Sequence, residues 1–258
     1  MRLLKLEQTG ELTLAEFLAC DIPPYAILSL TWGAAGEEVS FRDVVDGAGK
    51  SKTGYKKIEF CAKQAAKDGF DYFWIDTCAI DKSSSAELSE AINSMFRWYR
   101  DAERCYVYLT DVTISNGIPW KQQFESSRWF TRGWTLQELL APETVEFFSS
   151  EGELLGNKES LAESISKITN LTPDALQAQD LSLFSVNDRL SWQNGRMTTR
   201  EEDMAYSSMG IFDVFMPLIY GEGLNKAITR LHKAIEENNR DSVGPSKYQS
   251  FAQVYVMT

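Results

Sequence analysis

The chain has 258 residues, 43% of them hydrophobic and 12% aromatic, enough for a sizeable core in one large α/β domain or in one domain with a small subdomain. A net charge of −11 and an isoelectric point near 4.7 exclude a nucleic-acid-binding surface spread over the chain, because neutralising phosphates takes clustered Lys and Arg. No apolar run reaches the roughly 18 to 20 residues of a membrane span, and the opening MRLLKLEQTGEL is broken by charge too early for a secretory signal.

The four cysteines, Cys20, Cys61, Cys78 and Cys105, form no CxxC pair, and His232 is the single histidine, so no Cys/His zinc site is expected. The expectation is a reduced, cytosolic, metal-free protein.

Residues 25–31 (YAILSLT) follow Pro23-Pro24, stop at Trp32-Gly33 and read as a buried strand. The loop 47–51 (GAGKS) brushes against a phosphate-loop pattern, but Val44 stands where that pattern needs Gly, and no strand leads in. Residues 55–67 carry Ile58, Cys61, Ala62 and Ala65 at helical spacing. Residues 72–75 (YFWI) read as a second buried strand running into Asp76-Thr77-Cys78. Ser84 and Glu87 then form a capping-box signature for a helix bearing Leu88, Ile92, Met95, Phe96 and Tyr99.

A third strand at 105–109 ends near Asp111. A loop leads to a helix at 134–141, closed by Pro142, and a fourth strand follows at 145–148. This alternation predicts a parallel sheet covered by helices, with ligands beyond the carboxyl ends of its strands. Helices are expected at 160–168, 173–179, 200–209 and 222–237, with a polar turn at Asn194-Gly195. A linker follows from Asn238. The tail 248–258 is open between a docking strand, an intermolecular segment and a frayed end.

The strand ends supply Ser29, Thr31, Trp32, Asp76, Thr77, Cys78 and Asp111. In the 134–141 helix, Leu136, Leu139 and Leu140 share one face, while Trp134 and Glu138, one turn apart, project from roughly the other. That pair reads either as the wall of a pocket or as a packed Trp beside a solvated Glu. Hydrolysis by Ser-His-Asp or Cys-His is not expected, because a lone His such as His232 on an amphipathic helix is usually structural or solvated, and no GxGxxG follows a strand. A single carboxylate still permits cleavage of the nicotinamide–ribose bond of NAD. The leaving group is neutral and needs no general acid, and a Glu ionised at an ordinary pKa of about 4.3 can face the oxocarbenium-like cation.

The segments YAILSLTWG (25–33), FWIDTCAIDK (73–82), EAINSMFRWYRDAERCYVYLTDV (90–112), SRWFTRGWTLQELLAP (127–142) and TTREEDMAYSSMGIFDVFMPLIYGEG (198–223) together resemble the fungal heterokaryon-incompatibility (HET) domain. The resemblance spans residues 1–237. It implies a TIR-like (flavodoxin-like) parallel sheet flanked by helices over 1–150, a helical extension over 157–237, and a linker and tail at 238–258. It also implies a cytoplasmic effector of programmed cell death after incompatible fusion. Self-association and a nucleotide-binding oligomerisation receptor are its expected partners, with no nucleic acid and no membrane.

By the distant likeness of this family to TIR domains, Glu138 is the expected catalytic residue of an NAD hydrolase. Ser29, Thr31, Trp32, Gly33, Asp76, Arg132 and Trp134 would bind the substrate, and no cofactor is needed. Arg128 and Arg132 either hold the pyrophosphate or are ion-paired surface residues, and Asp76 either shapes the pocket or caps a turn. The chain departs from the family at Leu30, where the usual LSHTWG has His, and at Ala79, where DTCCID has Cys. The alternative reading is a non-enzymatic adaptor that signals by assembling with itself or with a receptor.

Overall fold

The computed structural model describes residues 1–18, 20–34, 36–115 and 117–243. The four predicted strands, β3 (Tyr25–Leu30), β4 (Tyr72–Ile75), β5 (Arg104–Tyr108) and β6 (Val145–Phe148), are the parallel centre of a seven-stranded sheet. All six residues of β3 are buried, as expected of a strand covered on both faces. Ala26 registers with Phe73 of β4 on one side, and Leu28 with Tyr106 of β5 on the other.

The sheet is mixed rather than purely parallel. The hairpin of β1 (Arg2–Leu6) and β2 (Leu12–Glu16) adds to β4 in antiparallel sense through Leu4 and Phe73, and β7 (Leu154–Asn157) closes the far edge antiparallel to β6. Only Leu3 and Leu4 of the hairpin are fully buried; Leu12 and Leu14 are half-buried against the core, and Arg2, Lys5 and Glu16 bring charge to this edge. Gly10 turns the hairpin at φ +76°, a conformation that an L side chain resists.

The order across the sheet is β2-β1-β4-β3-β5-β6-β7. The chain leaves β3 toward β4 and later returns to the opposite flank as β5, so the winding reverses between β3 and β5. A crevice forms at the carboxyl ends of strands at such a reversal.

Two predicted helices cover this sheet. Tyr55–Lys67 buries Ile58, Cys61, Ala62 and Ala65, and Ser85–Arg100 buries Ala91, Ile92, Met95, Trp98 and Tyr99. Ser84 caps the second by accepting from the Glu87 amide, but the capping box is not closed. The Glu87 carboxylate turns instead to Arg2 on β1 and to the Asp81 amide at 2.7 Å, tying the hairpin to the helix.

The helical extension consists of Ala162–Thr169, Pro173–Gln177, Val186–Ser191, Asp203–Tyr206 and the long Leu224–Val243 helix, with 3-10 turns at Leu181–Leu183 and Met209–Phe212. Two expectations are corrected here, and one unpredicted helix is added. The Val186–Ser191 helix starts at a Ser185/Asp188 capping box that went unread, and the predicted 200–209 helix is broken into an α turn and a 3-10 turn. The terminal helix passes through the expected linker start at Asn238, whose side-chain amide donates to the Phe212 carbonyl at 3.3 Å. The tail 248–258 lies outside the described residues. No helix among the described residues is long and apolar enough to cross a membrane.

Candidate active site

A cleft of about 550 Å³ opens at the reversal between β3 and β5, a size that suits a large small molecule. Its wall takes Thr31 and Trp32 from the end of β3, Asp76 and Lys82 from the segment after β4, and Tyr99 from the Ser85–Arg100 helix. The stretch around Thr135–Leu140 supplies Arg128, Arg132, Trp134 and Glu138, and the helical extension supplies Met197, Arg200, Asp203 and Tyr220.

The Thr135–Leu140 helix lies close to the predicted 134–141, with all six residues buried, so the reading of Glu138 as a solvated side chain is overturned. Glu138 is 8% exposed, and the Ser29 hydroxyl donates to its Oε2. Ser29 in turn accepts from the Trp129 indole Nε1 at 2.7 Å, so its rotor is fixed from behind. The Tyr99 hydroxyl, 3.3 Å from the Leu28 carbonyl oxygen, also faces the carboxylate.

Burial pushes the Glu138 carboxyl up from 4.5 to about 7, and the charge of Asp76 adds to this. The Ser29 hydrogen bond, Arg132 and Tyr99 act in the opposite sense. The expectation of an ordinary carboxylate near 4.3 is therefore corrected: the group is poised at neutral pH, where an acid or base changes state most readily.

Asp76 does not cap a turn. Its Oδ2 accepts from the Trp32 indole Nε1 at 3.0 Å and lies 3.5 Å from the Lys82 ammonium, which sits 3.7 Å from the centroid of the Trp32 ring. Trp134 is half-buried and donates to Asp203 Oδ2 at 3.3 Å, while the Tyr220 hydroxyl donates to Asp203 Oδ1 at 3.0 Å. Asp203 thus spaces two aromatic walls, and the Arg200 guanidinium stacks on Tyr220 at 4.1 Å. Two polar atoms at the cleft, Thr31 Oγ1 and Arg132 Nε, are buried without a hydrogen-bond partner. Buried polar atoms of this kind ordinarily find one.

Of the sequence-predicted residues, Thr31, Trp32, Asp76, Arg132, Trp134 and Glu138 meet in this cleft. Two do not reach its surface. Ser29 is fully buried beneath Glu138 and orients it, while Gly33 turns outward and gives its amide to Glu38 at 2.6 Å. Leu30 lines the cleft, so the departure from His falls inside the site, whereas Ala79 is packed in the core. Asp111 caps the turn at Ser127 and Arg128. Burial pushes the Cys78 thiol up to about 12, which leaves no thiolate for attack. His232 is exposed on the terminal helix.

Sequence reasoning passed over Tyr99, Lys82, Arg200, Asp203 and Tyr220. All lie inside the segments quoted for the resemblance, but nothing in their spacing marks them for one cleft. A second cavity of about 670 Å³ lies by Pro142 and Lys158 and holds none of the predicted residues. Among the described residues no group of three His, Cys, Asp or Glu side chains gathers that could hold a metal ion.

Residues 25–123 match the family model described as heterokaryon incompatibility protein (HET). The chain is 56% identical over 245 residues to vegetative incompatibility protein HET-E-1 of Podospora anserina, a match covering 93% of this chain. The chain spans 18% of the length of that relative. No solved structure matches it significantly. The family match starts at β3 and stops short of the Glu138 helix, whereas the HET-E-1 match spans most of the chain. On these similarities the chain belongs to the heterokaryon incompatibility (HET) domain family.

Proposed function

We propose that the cleft binds NAD and cleaves its nicotinamide–ribose bond, with Glu138 as the catalytic residue, and that this activity makes the chain an effector of heterokaryon incompatibility. The observation that carries the reading is the buried Glu138 carboxylate, held by Ser29 at the carboxyl end of the central strands and poised near neutral pH. The order of the parallel strands, second-first-third-fourth in the chain, supports a TIR-like fold with its ligand at the reversal.

The charge layout supports a dinucleotide. Asp76, Asp203 and Glu138 suit a cationic ring and a developing ribosyl cation, while Arg128, Arg132 and Arg200 suit phosphates. In the reaction the C1′–N bond breaks and its electron pair leaves with nicotinamide, which departs neutral. Glu138 faces the resulting cation and accepts from the ribose hydroxyls. Water then adds at C1′ and releases a proton, giving ADP-ribose. The unpartnered Thr31 hydroxyl and Arg132 Nε would gain partners from the ligand.

The role in incompatibility draws on HET-E-1, whose name states that role for that protein. The alternative, an adaptor acting by self-assembly, draws on the apolar side chains left exposed at Met197, Phe215 and Ile219.

Incubation of the purified chain with NAD, dilute and then crowded, with nicotinamide quantified against Glu138→Gln, tests the reading. Release by the parent chain that vanishes in the variant is expected. Release that persists in the variant removes Glu138 from the chemistry. No release in either condition, with cell killing intact in Glu138→Gln, favours the adaptor.

A further inference from the structure

The cavity of about 670 Å³ by Pro142 and Lys158 lies at the amino ends of the parallel strands, the opposite end of the sheet from the cleft. The two share no lining residue. Leu140, Ala141 and Pro142 come from the end of the Glu138 helix, Val145 opens β6, and Ala178 follows the Pro173–Gln177 helix. The volume is that of a site for a small molecule, well beyond what a bare ion fills.

Lys158 reaches this wall because it follows directly on β7. Its amide donates to the Val145 carbonyl at 2.8 Å, which extends the pairing with β6 by one residue. The chain then turns away at once, with the Ser160 amide donating to Asn157 Oδ1 at 2.7 Å.

Among the described residues two lysines are buried, and their surroundings differ. Lys57, 7% exposed, donates to the Thr31 carbonyl at 2.9 Å and pairs with the Glu38 carboxylate. Lys158, 8% exposed, donates to the Pro142 carbonyl at 2.6 Å and has no carboxylate within ion-pairing distance among the described residues. Glu143 and Glu159 are on the same wall, but both are exposed. An ammonium has three donors, and one carbonyl uses only one of them. Burial pushes Lys158 down from 10.5 to about 8, against the opposite pull of Cys105 and Glu143. A cation so placed is costly until an anion joins it. Arg100, more than half exposed, brings a second cation to the wall, its Nε held by Asp101 at 2.9 Å.

We propose that this cavity is a second ligand site, which takes a small molecule with an anionic head, phosphate or carboxylate, on the Lys158 ammonium and an apolar body against Leu140, Val145 and Ala178. The site does not rest on the NAD reading, since it draws on none of the cleft residues.

The test uses the full chain with lysine ε-carbons labelled with carbon-13, the Lys158 signal being assigned by its loss in Lys158→Met. Three probes of one shape are titrated: phenyl phosphate, benzoate and the neutral benzyl alcohol. The Lys158 signal is expected to shift saturably with one or both acids, the tighter of them identifying the head group, and not with the alcohol. By calorimetry, Lys158→Met should weaken the acid at least tenfold, the loss of a charge-assisted hydrogen bond. Arg132→Gln, in the cleft, should leave its affinity within twofold.

Absence of a saturable Lys158 shift with either acid up to ~20 mM, where even a weak ligand of this size binds, overturns the proposal. Equal binding of benzyl alcohol overturns the role of charge, and with it the proposal. Affinity within twofold of the parent in a folded Lys158→Met protein, or lost in Arg132→Gln instead, places the acids elsewhere and overturns it too. Should Lys158→Met not fold, Ala178→Trp fills the cavity, and undiminished binding there is equally fatal.

Discussion

Replacing Glu138 with Gln should stabilise this protein at alkaline pH and not at acidic pH. The carboxyl titrates near 4.5 when unperturbed and near 7 in the fold, chiefly because it is buried. Between those values the unfolded chain has released the proton and the folded chain still holds it. The contribution of Glu138 to stability is therefore full below pH 4.5, falls through that window, and is lost above pH 7. At about 1.4 kcal/mol per pH unit, the loss is ~3 kcal/mol.

Gln does not titrate and is not subject to this loss, but its amide accepts the Ser29 hydrogen bond less well, at a cost of ~1 kcal/mol at any pH. The net gain at pH 8 is ~2 kcal/mol, or a rise in Tm of roughly 4–8 °C for a chain of this size. Calorimetry of both proteins at pH 5 and pH 8 measures it. A Tm difference that is the same at the two pH values would refute the reasoning, because it would show that the folded carboxyl titrates as it does in the unfolded chain.

The proposed chemistry needs the ionised form of Glu138, so kcat/KM for NAD should rise about tenfold from pH 6 to pH 8 around a midpoint near 7; a profile flat over that range would place the essential base elsewhere. Gly133→Val should cost about 1–3 kcal/mol in denaturant unfolding, because its side chain collides with Thr198 and parts the extension from the Glu138 helix; a change in stability under ~0.5 kcal/mol would mean that the segment yields freely. Lys82→Ala vacates the face of Trp32 and should lower KM for NAD about two- to fivefold with little effect on kcat, a change set by the loss of a competing cation–π contact; a raised KM would show Lys82 holding a phosphate instead.

The four parallel strands were legible because a strand covered on both faces is a run of apolar residues, and YAILSL and YFWI can hardly be anything else. The edge hairpin was not, since Arg2, Lys5 and Glu16 break its pattern and its pairing with β4 depends on the single register pair Leu4 and Phe73. The same limit applied at Ser84 and Glu87. The cap formed, but the carboxylate found a stronger partner in Arg2, 85 positions away.

For the site, the spacing of Trp134 and Glu138 left a pocket wall and a solvated Glu both open, and the glutamate was singled out by the likeness to TIR domains, while the strand ends named most of its neighbours. Its burial and shifted titration were beyond sequence reasoning because their causes come from elsewhere in the chain. Ser29 lies 109 residues from Glu138, and Asp76, whose charge adds to the shift, stands after a different strand. Ser29 itself was assigned to substrate because it ends a strand. It lies fully buried beneath the carboxylate, and the next two residues, Leu30 and Thr31, line the cleft instead.

The most direct measurement of the central claim is a structure of Glu138→Gln with intact NAD, since the variant should bind the substrate and leave it uncleaved. The account predicts the nicotinamide ribose against residue 138, with Thr31 near its hydroxyls and the pyrophosphate at Arg132. NAD bound with its ribose remote from residue 138, or lodged in the cavity by Lys158 and Pro142, would contradict it.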